Sequence, residues 1–251
     1  MIFDRPHSAD FPALGQLWQQ AFGDTDAFLD GFFQTGFSPN RCRCIKQDGQ
    51  LTAALYWFDC RWEGKKLAYL YAVATDERFR GQGLCRALME DTHRHLKELG
   101  YAGAMLVPGN KGLFALYEKL GYTSFCPMQT ATVEAGSTPA EIQSIDADAY
   151  WQLRKKQLPA DAVMQDTEAL IFAATFCEFY AGENTLMCLS RENGTLYFQE
   201  YLGDPSLLPG IVKALDGQKG VVCLPGGNPV AMYHSLTHDK EMPAYFGIPL
   251  N

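Results

Sequence analysis

The 251-residue chain has no long apolar run. Stretches such as Ala169 to Cys177 stop well short of the ~20 apolar residues that cross a bilayer, so no membrane partner is expected. No basic segment leads into an apolar core near the start. A secretion signal is therefore not expected, and a cytoplasmic location is the default. Basic residues are scarce: 21 Lys and Arg stand against 29 Asp and Glu, a net charge of −8. They do not cluster beyond pairs such as Lys65-Lys66 and Lys155-Lys156. A nucleic-acid ligand needs a basic patch for its phosphates, so that class is excluded. Metal-ligand spacing is missing too. Cys42 and Cys44 form one Cys-x-Cys with no second pair, and His93 and His95, two residues apart, fall on different faces of a helix. No metal site is predicted, and the eight cysteines are expected as reduced thiols.

What remains is enough for one large or two small domains with a sizeable core. The charge is uneven. Residues 1–127 hold 14 basic and 14 acidic side chains, and residues 128–251 hold 7 and 15. The acidic excess of the second half favours a cationic ligand, although it serves solubility equally well.

The informative stretch runs from Leu67 to Tyr122. Leu67 to Thr75 is apolar and aromatic without charge, as a buried strand requires. Arg80-Gly81-Gln82-Gly83-Leu84-Cys85-Arg86 follows. Leu84, Leu88, Leu96 and Leu99 then recur at helical spacing. The two glycines thus precede a helix N-terminus, where free N–H groups and the helix dipole attract anions. Arg80 adds a fixed positive charge, and a pyrophosphate suits such a turn. No Gly-Lys-Ser/Thr follows, and Arg86 stands where a dinucleotide fingerprint needs a third glycine or alanine, so neither of those phosphate loops applies. Gly103 to Val107 reads as a second buried strand ended by Pro108-Gly109. Asn110 comes next, then a short helix over Leu113 to Leu120 closed by Gly121.

This order resembles the GNAT superfamily of acyl-CoA-dependent N-acyltransferases. Arg80-Gly81-Gln82-Gly83-Leu84 is similar to that family's Arg/Gln-x-x-Gly-x-Gly/Ala loop. Leu116-Tyr117-Glu118-Lys119-Leu120-Gly121-Tyr122, with Asn110 seven residues before Tyr117, is similar to its second motif. Cys85 departs from the Gly/Ala of the last loop position; a register begun at Arg78 would place Gly81 and Gly83 in both glycine positions. The resemblance covers residues 1–127. It implies an α/β (α+β) fold with a mixed central sheet flanked by helices, and acetyl-CoA as acyl donor without a metal. The implied reaction moves the acetyl group to a primary amine by direct attack. Val73, Ala74 and Thr75 would pair with the pantetheine arm, and the N–H groups from Gly81 to Arg86 would hold the pyrophosphate. Asn110 would contact the arm or a water, and Tyr117 would protonate the leaving thiolate as general acid. The acceptor would be a small-molecule or peptide amine, with a cationic one favoured by the charge. The alternative is a non-catalytic acyl-CoA-binding regulatory or interaction module. A homo-oligomer is left open. Asp24, Asp26, Asp59, Tyr69 and Tyr71 are candidates for the general base, none preferred.

Residues 128–251 lack both motifs. A strand from Met128, a helix over Asp146 to Leu158, a helix over Glu168 to Tyr180 and a hairpin over Thr185 to Leu202 turning at Asn193-Gly194 are expected. A helix over Ser206 to Leu215 and a strand over Gly220 to Leu224 follow. The order loosely echoes the first half and is read as a second, smaller, degenerate GNAT-like α+β domain, which shapes the acceptor pocket or a subunit interface. The apolar tail Ala244 to Asn251 is expected to pack, and its terminal carboxylate is a further candidate base.

Overall fold

The computed structural model describes residues 1–237 and 239–250. Its elements run β1 (Ile2–Asp4), α1 (Phe11–Phe22), α2 (Asp26–Gly31), β2 (Cys42–Gln47), β3 (Gln50–Trp62), β4 (Lys65–Thr75), α3 (Leu84–Glu98), β5 (Gly103–Leu106) and α4 (Lys111–Glu118). They continue with β6 (Thr123–Glu134), β7 (Ile142–Ile145), α5 (Ala147–Gln157), β8 (Met164–Gln165), α6 (Thr167–Ala173), β9 (Glu178–Gly182), β10 (Thr185–Glu192), β11 (Thr195–Leu202), α7 (Leu208–Ala214), β12 (Lys219–Pro225) and β13 (Asn228–Ser235). Two compact units result. The first joins Met1–Ser124 to Ala231–Met242, and the second joins Phe125–Val230 to the segment from Pro243 onward.

In the first unit the strand order is β1-β2-β3-β4-β5-β13. Neighbours are antiparallel except β4 and β5, which run parallel. A parallel pair needs a crossover, and α3 supplies it. Its apolar stripe (Leu84, Leu88, Met89, Leu96) packs on the sheet against Ile45, Leu55, Trp57 and Leu70. Fully burying each such leucine is worth about 1.5–3 kcal/mol. Helix α1 buries Leu14, Leu17 and Trp18. The mixed sheet flanked by helices is the architecture expected.

The second unit has the order β6-β12-β11-β10-β9-β7, with β11 and β12 parallel and the others antiparallel. The hairpin turns where expected. Asn193 and Gly194 both adopt positive φ, +48° and +76°, as a two-residue turn matched to strand twist requires. One expectation is corrected: the helix begun near Glu168 stops at Ala173, and Glu178–Gly182 is strand β9. Phe179 and Ala181 of β9 are buried while their neighbours are not, the period of two that a strand imposes. Strand β13 was not expected from the sequence at all.

The element order β1-α1-α2-β2-β3-β4-α3-β5 recurs as β7-α5-α6-β9-β10-β11-α7-β12 with the two-residue strand β8 inserted between α5 and α6, each series ending in a parallel pair. The strand that closes each series is exchanged: β13, which follows β12 in the chain, lies against β5, and β6, which follows β5 and α4, lies against β12.

The second unit is organised around a fully buried ion pair. Arg154 donates from Nε to Glu200 Oε2 at 2.6 Å and from Nη2 to Oε1 at 2.9 Å. Tyr150 and Tyr245 hydroxyls donate to the same carboxylate at 2.7 and 3.1 Å. The tail is held beside it: Gln165 Nε2 donates to the carbonyls of Gly247 and Ile248. A Cβ at Gly247 would stand 1.8 Å from Glu200 Oε1, so only glycine fits. Phe246, Ile248 and Leu250 are buried, as expected for a packed tail. The carboxylate of Asn251, the further candidate base, lies outside the described residues.

Candidate functional site

Strand β4 carries two irregularities at one end. Its pairing with β3 runs Tyr56 to Tyr71 and resumes at Ala54 to Ala74, so Ala72 and Val73 together oppose Leu55. Ala72 sits at φ +47°, and a β-bulge results. Its pairing with β5 runs only from Leu67 opposite Gly103 to Tyr69 opposite Met105. Beyond that the parallel strands part, because β5 ends at Leu106 before Pro108-Gly109. Among the described residues, the β5-side edge of Val73, Ala74 and Thr75 is therefore left without a partner strand.

The glycine turn adjoins this edge. Gly81 and Gly83 adopt φ +77° and +79°, which side-chain-bearing residues resist, and a Cβ at either would meet nothing within 4 Å. The space beside both α-carbons is open. Gly83 is the N-cap of α3 and offers no side-chain acceptor to the first-turn N–H groups of Leu84, Cys85 and Arg86. Of the two arginines, Arg78 is engaged by Asp76, with Nη2 to Oδ2 at 2.6 Å and Nε to Oδ1 at 3.1 Å. Arg80 donates from Nε to the carbonyl of Thr75 at 3.2 Å, which holds its guanidinium between strand end and turn. Gln82 is exposed, and Arg86 leans toward Glu90 at 3.7 Å.

Asn110 is the N-cap of α4, its Oδ1 accepting from Gly112 N–H at 3.0 Å. Tyr117, one of that helix's residues, is 6% exposed. Burial raises its phenol well above the ordinary value, and the nearby Cys85 thiol adds to the effect. The Tyr117 hydroxyl thus keeps its proton at any physiological pH. Cys85, half-buried in the first turn of α3, links the glycine turn to Tyr117.

Sequence reasoning missed the support behind Tyr117. Tyr122 meets it edge-on at 5.8 Å between ring centroids, and the Tyr122 hydroxyl is hydrogen-bonded to His93 Nε2 at 2.8 Å. His234 of β13 stacks on His93 at 4.4 Å and donates from Nδ1 to the carbonyl of Gly121 at 2.9 Å. Burial, then His234, pushes His93 down to about 3, so it stays neutral.

The candidate bases divide. Asp59 accepts from the Tyr101 hydroxyl and lies 4.0 Å from Lys66, opposite Ala68 where β4 and β5 are still paired, away from the bulge. Tyr69 is buried, and burial raises its phenol steeply. Tyr71 is half-buried beside the bulge, raised by burial and then by Asp24. Asp26 accepts from Gln19 Nε2 at 2.5 Å, and Asp24 Oδ2 from the Trp18 indole at 2.7 Å. Among the described residues there is no cluster of side chains able to hold a metal, and no helix long and apolar enough to cross a membrane.

A mixed sheet with a bulged, parted parallel pair and a glycine turn opening the crossover helix defines an acyltransferase-type fold. Residues 3–125 match the acetyltransferase (GNAT) domain family. Solved structures agree on the fold. A GCN5-related N-acetyltransferase from Anabaena variabilis aligns over 94% of this chain and 72% of its own, with TM-score 0.72 and 13% identity. Eis1 from Mycobacterium abscessus aligns over 94% and 74%, with TM-score 0.69 and 10% identity. A tandem GNAT protein from the clavulanic acid biosynthesis pathway aligns over 95% and 99%, with TM-score 0.56 and 10% identity. Comparison with curated proteins returns no match.

Proposed function

We propose that this protein moves the acetyl group of acetyl-CoA to a primary amine, with Tyr117 as general acid. The observation that carries the reading is the convergence of three features in the first unit. They are an α3 N-terminus opened by two glycines at positive φ and given no side-chain cap by Gly83, a strand edge left free among the described residues beyond a bulge, and a buried, protonated tyrosine beside the first turn of α3. The open space beside Gly81 and Gly83 suits a pyrophosphate, and Arg80 supplies a positive charge there. Asn110 spends its Oδ1 on the helix cap, which leaves its Nδ2 for the arm or a water.

Acetyl-CoA supplies an activated thioester carbonyl. The N–H groups of Leu84, Cys85 and Arg86, with the backbone of Gly81 to Gly83, hold its phosphates. The edge of Val73, Ala74 and Thr75 aligns its amide arm as an added strand would. The amine attacks directly, with no acyl-enzyme. Tyr117 Oη delivers the proton that the departing sulfur needs, and the proton shed by the acylated nitrogen returns through solvent to restore the phenol. A phenol raised by burial is a reluctant acid toward water, so its proton moves only as negative charge builds on a sulfur within reach. The second unit, which repeats the element order without the motifs, is a degenerate GNAT-like domain. A cytoplasmic location accompanies this reading.

The test is release of free thiol from acetyl-CoA on addition of primary amines. The wild-type protein is expected to release it. Tyr117→Phe is expected to slow it by about 10²-fold or more while acetyl-CoA affinity holds. An unchanged rate in Tyr117→Phe across pH would remove the acid role. Thiol release by no amine would favour a binding module.

A further inference from the structure

We infer that Asp24 is the carboxylate that receives a positively charged group of the acceptor, which makes the acceptor a di- or polyamine. This rests on the transfer reading above and narrows it.

The first observation is an unbalanced charge. In the first unit, four of the five other acidic side chains that lie buried or half-buried face a lysine or arginine, and the fifth, Asp4, faces a histidine that is charged only if protonated. Asp4 lies 3.4 Å from His7, Asp10 2.6 Å from Lys46 and Asp59 4.0 Å from Lys66. Asp76 lies 2.6 Å from Arg78, and Asp91 2.5 Å from Arg43 and 3.2 Å from Arg94. Asp24 is half-buried and has no basic partner among the described residues. Its hydrogen bond there comes from the neutral Trp18 indole, to Oδ2. A carboxylate taken partly out of water without a counter-charge is a cost to the fold.

The second observation is that the chain is built to put it there. Helix α1 ends at Gly23, φ +73°, whose N–H returns to the Gln19 carbonyl. The reversal lays Asp24 back on Trp18. Thr25 then caps α2, accepting from Phe28 N–H at 3.2 Å. Asp24 thereby sits just past the C-terminus of α1, where the helix dipole opposes negative charge. It also stands directly before the N-terminus of α2, which favours an acid, so the two helix ends act in opposite senses on this carboxylate.

The third observation is the surroundings. Trp18 lies 5.6 Å from Tyr71, 5.7 Å from Phe22 and 6.4 Å from Phe28 between ring centroids. Phe22 is 47% exposed and Tyr71 is half-buried. Aromatic rings beside one carboxylate attract an ammonium by both the ring quadrupole and the charge. Tyr71 directly precedes the Ala72 bulge, so this corner adjoins the strand edge assigned to the donor. A diamine can set one ammonium on Asp24 and present its other nitrogen to the thioester. A neutral or acidic acceptor gains nothing from the carboxylate.

Asp24→Asn is the discriminating variant, since the amide oxygen still accepts the indole N–H while the charge is lost. Calorimetric titration of the CoA-loaded full chain with 1,4-diaminobutane is expected to show binding that weakens at least tenfold in Asp24→Asn. The preference for 1,4-diaminobutane over n-butylamine should fall by a similar factor. The urea midpoint of Asp24→Asn should equal or exceed that of the wild type, because an uncompensated charge has been removed. Equal diamine binding by both proteins, no binding by the wild type, or a clear loss of stability in the variant would each overturn the inference. Transfer is scored separately. Amine acetylation indifferent to Asp24 would leave the proposed function standing without this inference. Asp24-dependent diamine binding without thiol release would do the reverse.

Discussion

At the scale of single residues, the site is a set of departures from what folding alone would choose. Gly81 and Gly83 hold positive φ with open space where their β-carbons would be, Ala72 holds positive φ inside a strand, and Asp24 carries an unanswered charge. Such departures are cheaper to avoid than to keep, and they gather at one corner of one unit. His93 belongs with them. Its folded-state value of about 3 lies below its ordinary 6.5, so between those values the unfolded chain binds a proton that the folded chain refuses. The contribution is fully present above about pH 6.5 and is lost as pH falls toward 3. The urea midpoint of the wild type is accordingly expected to drop between pH 7 and pH 4, and His93→Gln to drop less over the same interval. Parallel curves for the two proteins would mean that His93 is not the group responsible. The pair Gly81-Gly83 and Tyr117 were legible in the sequence because glycine before a helix and the Leu-Tyr-Glu-Lys-Leu-Gly-Tyr run are local signals. The His93–Tyr122–His234 cluster was not, since its third member comes from a strand 112 residues beyond Tyr122.

At the scale of elements, legibility followed locality in the same way. Strand β4, helix α3 and the β10–β11 hairpin show in periodicity and turn residues. The strand exchange does not: β6 and β13 pair with strands that no pattern in their own sequence names. Helix α6 was over-extended because Phe176, Cys177 and Phe179 continue an apolar run that short windows cannot divide between helix and strand. The second unit also shows an element-level dependence. α5 is fixed to β11 through Arg154 and Glu200, both fully buried. Removing one partner strands the other. Arg154→Ala is therefore expected to lower unfolding stability by about 3–5 kcal/mol. Urea unfolding should show Arg154→Met combined with Glu200→Gln losing less than Arg154→Ala, since the pair is then removed together. Equal losses would mean that packing volume, not the orphaned carboxylate, dominates.

At the scale of the whole molecule, one order of elements occurs twice and one phosphate turn occurs once. After β11 the chain reads Gly203-Asp204-Pro205-Ser206-Leu207, with one glycine, no arginine, and Pro209 early in the seven-residue α7, where an N–H is lost. The acidic excess also lies in residues 128–251, which suits a cationic acceptor and disfavours a second bound pyrophosphate. The account therefore assigns one donor site per chain, in the first unit.

That assignment is tested most directly by calorimetric titration of the full chain with acetyl-CoA, alongside Gly83→Glu. The account predicts one site per chain. It predicts loss of binding in Gly83→Glu, where a side chain is forced into positive φ and a carboxylate is set where phosphates should sit. Two sites, binding that survives Gly83→Glu, or no binding by the wild type would contradict it.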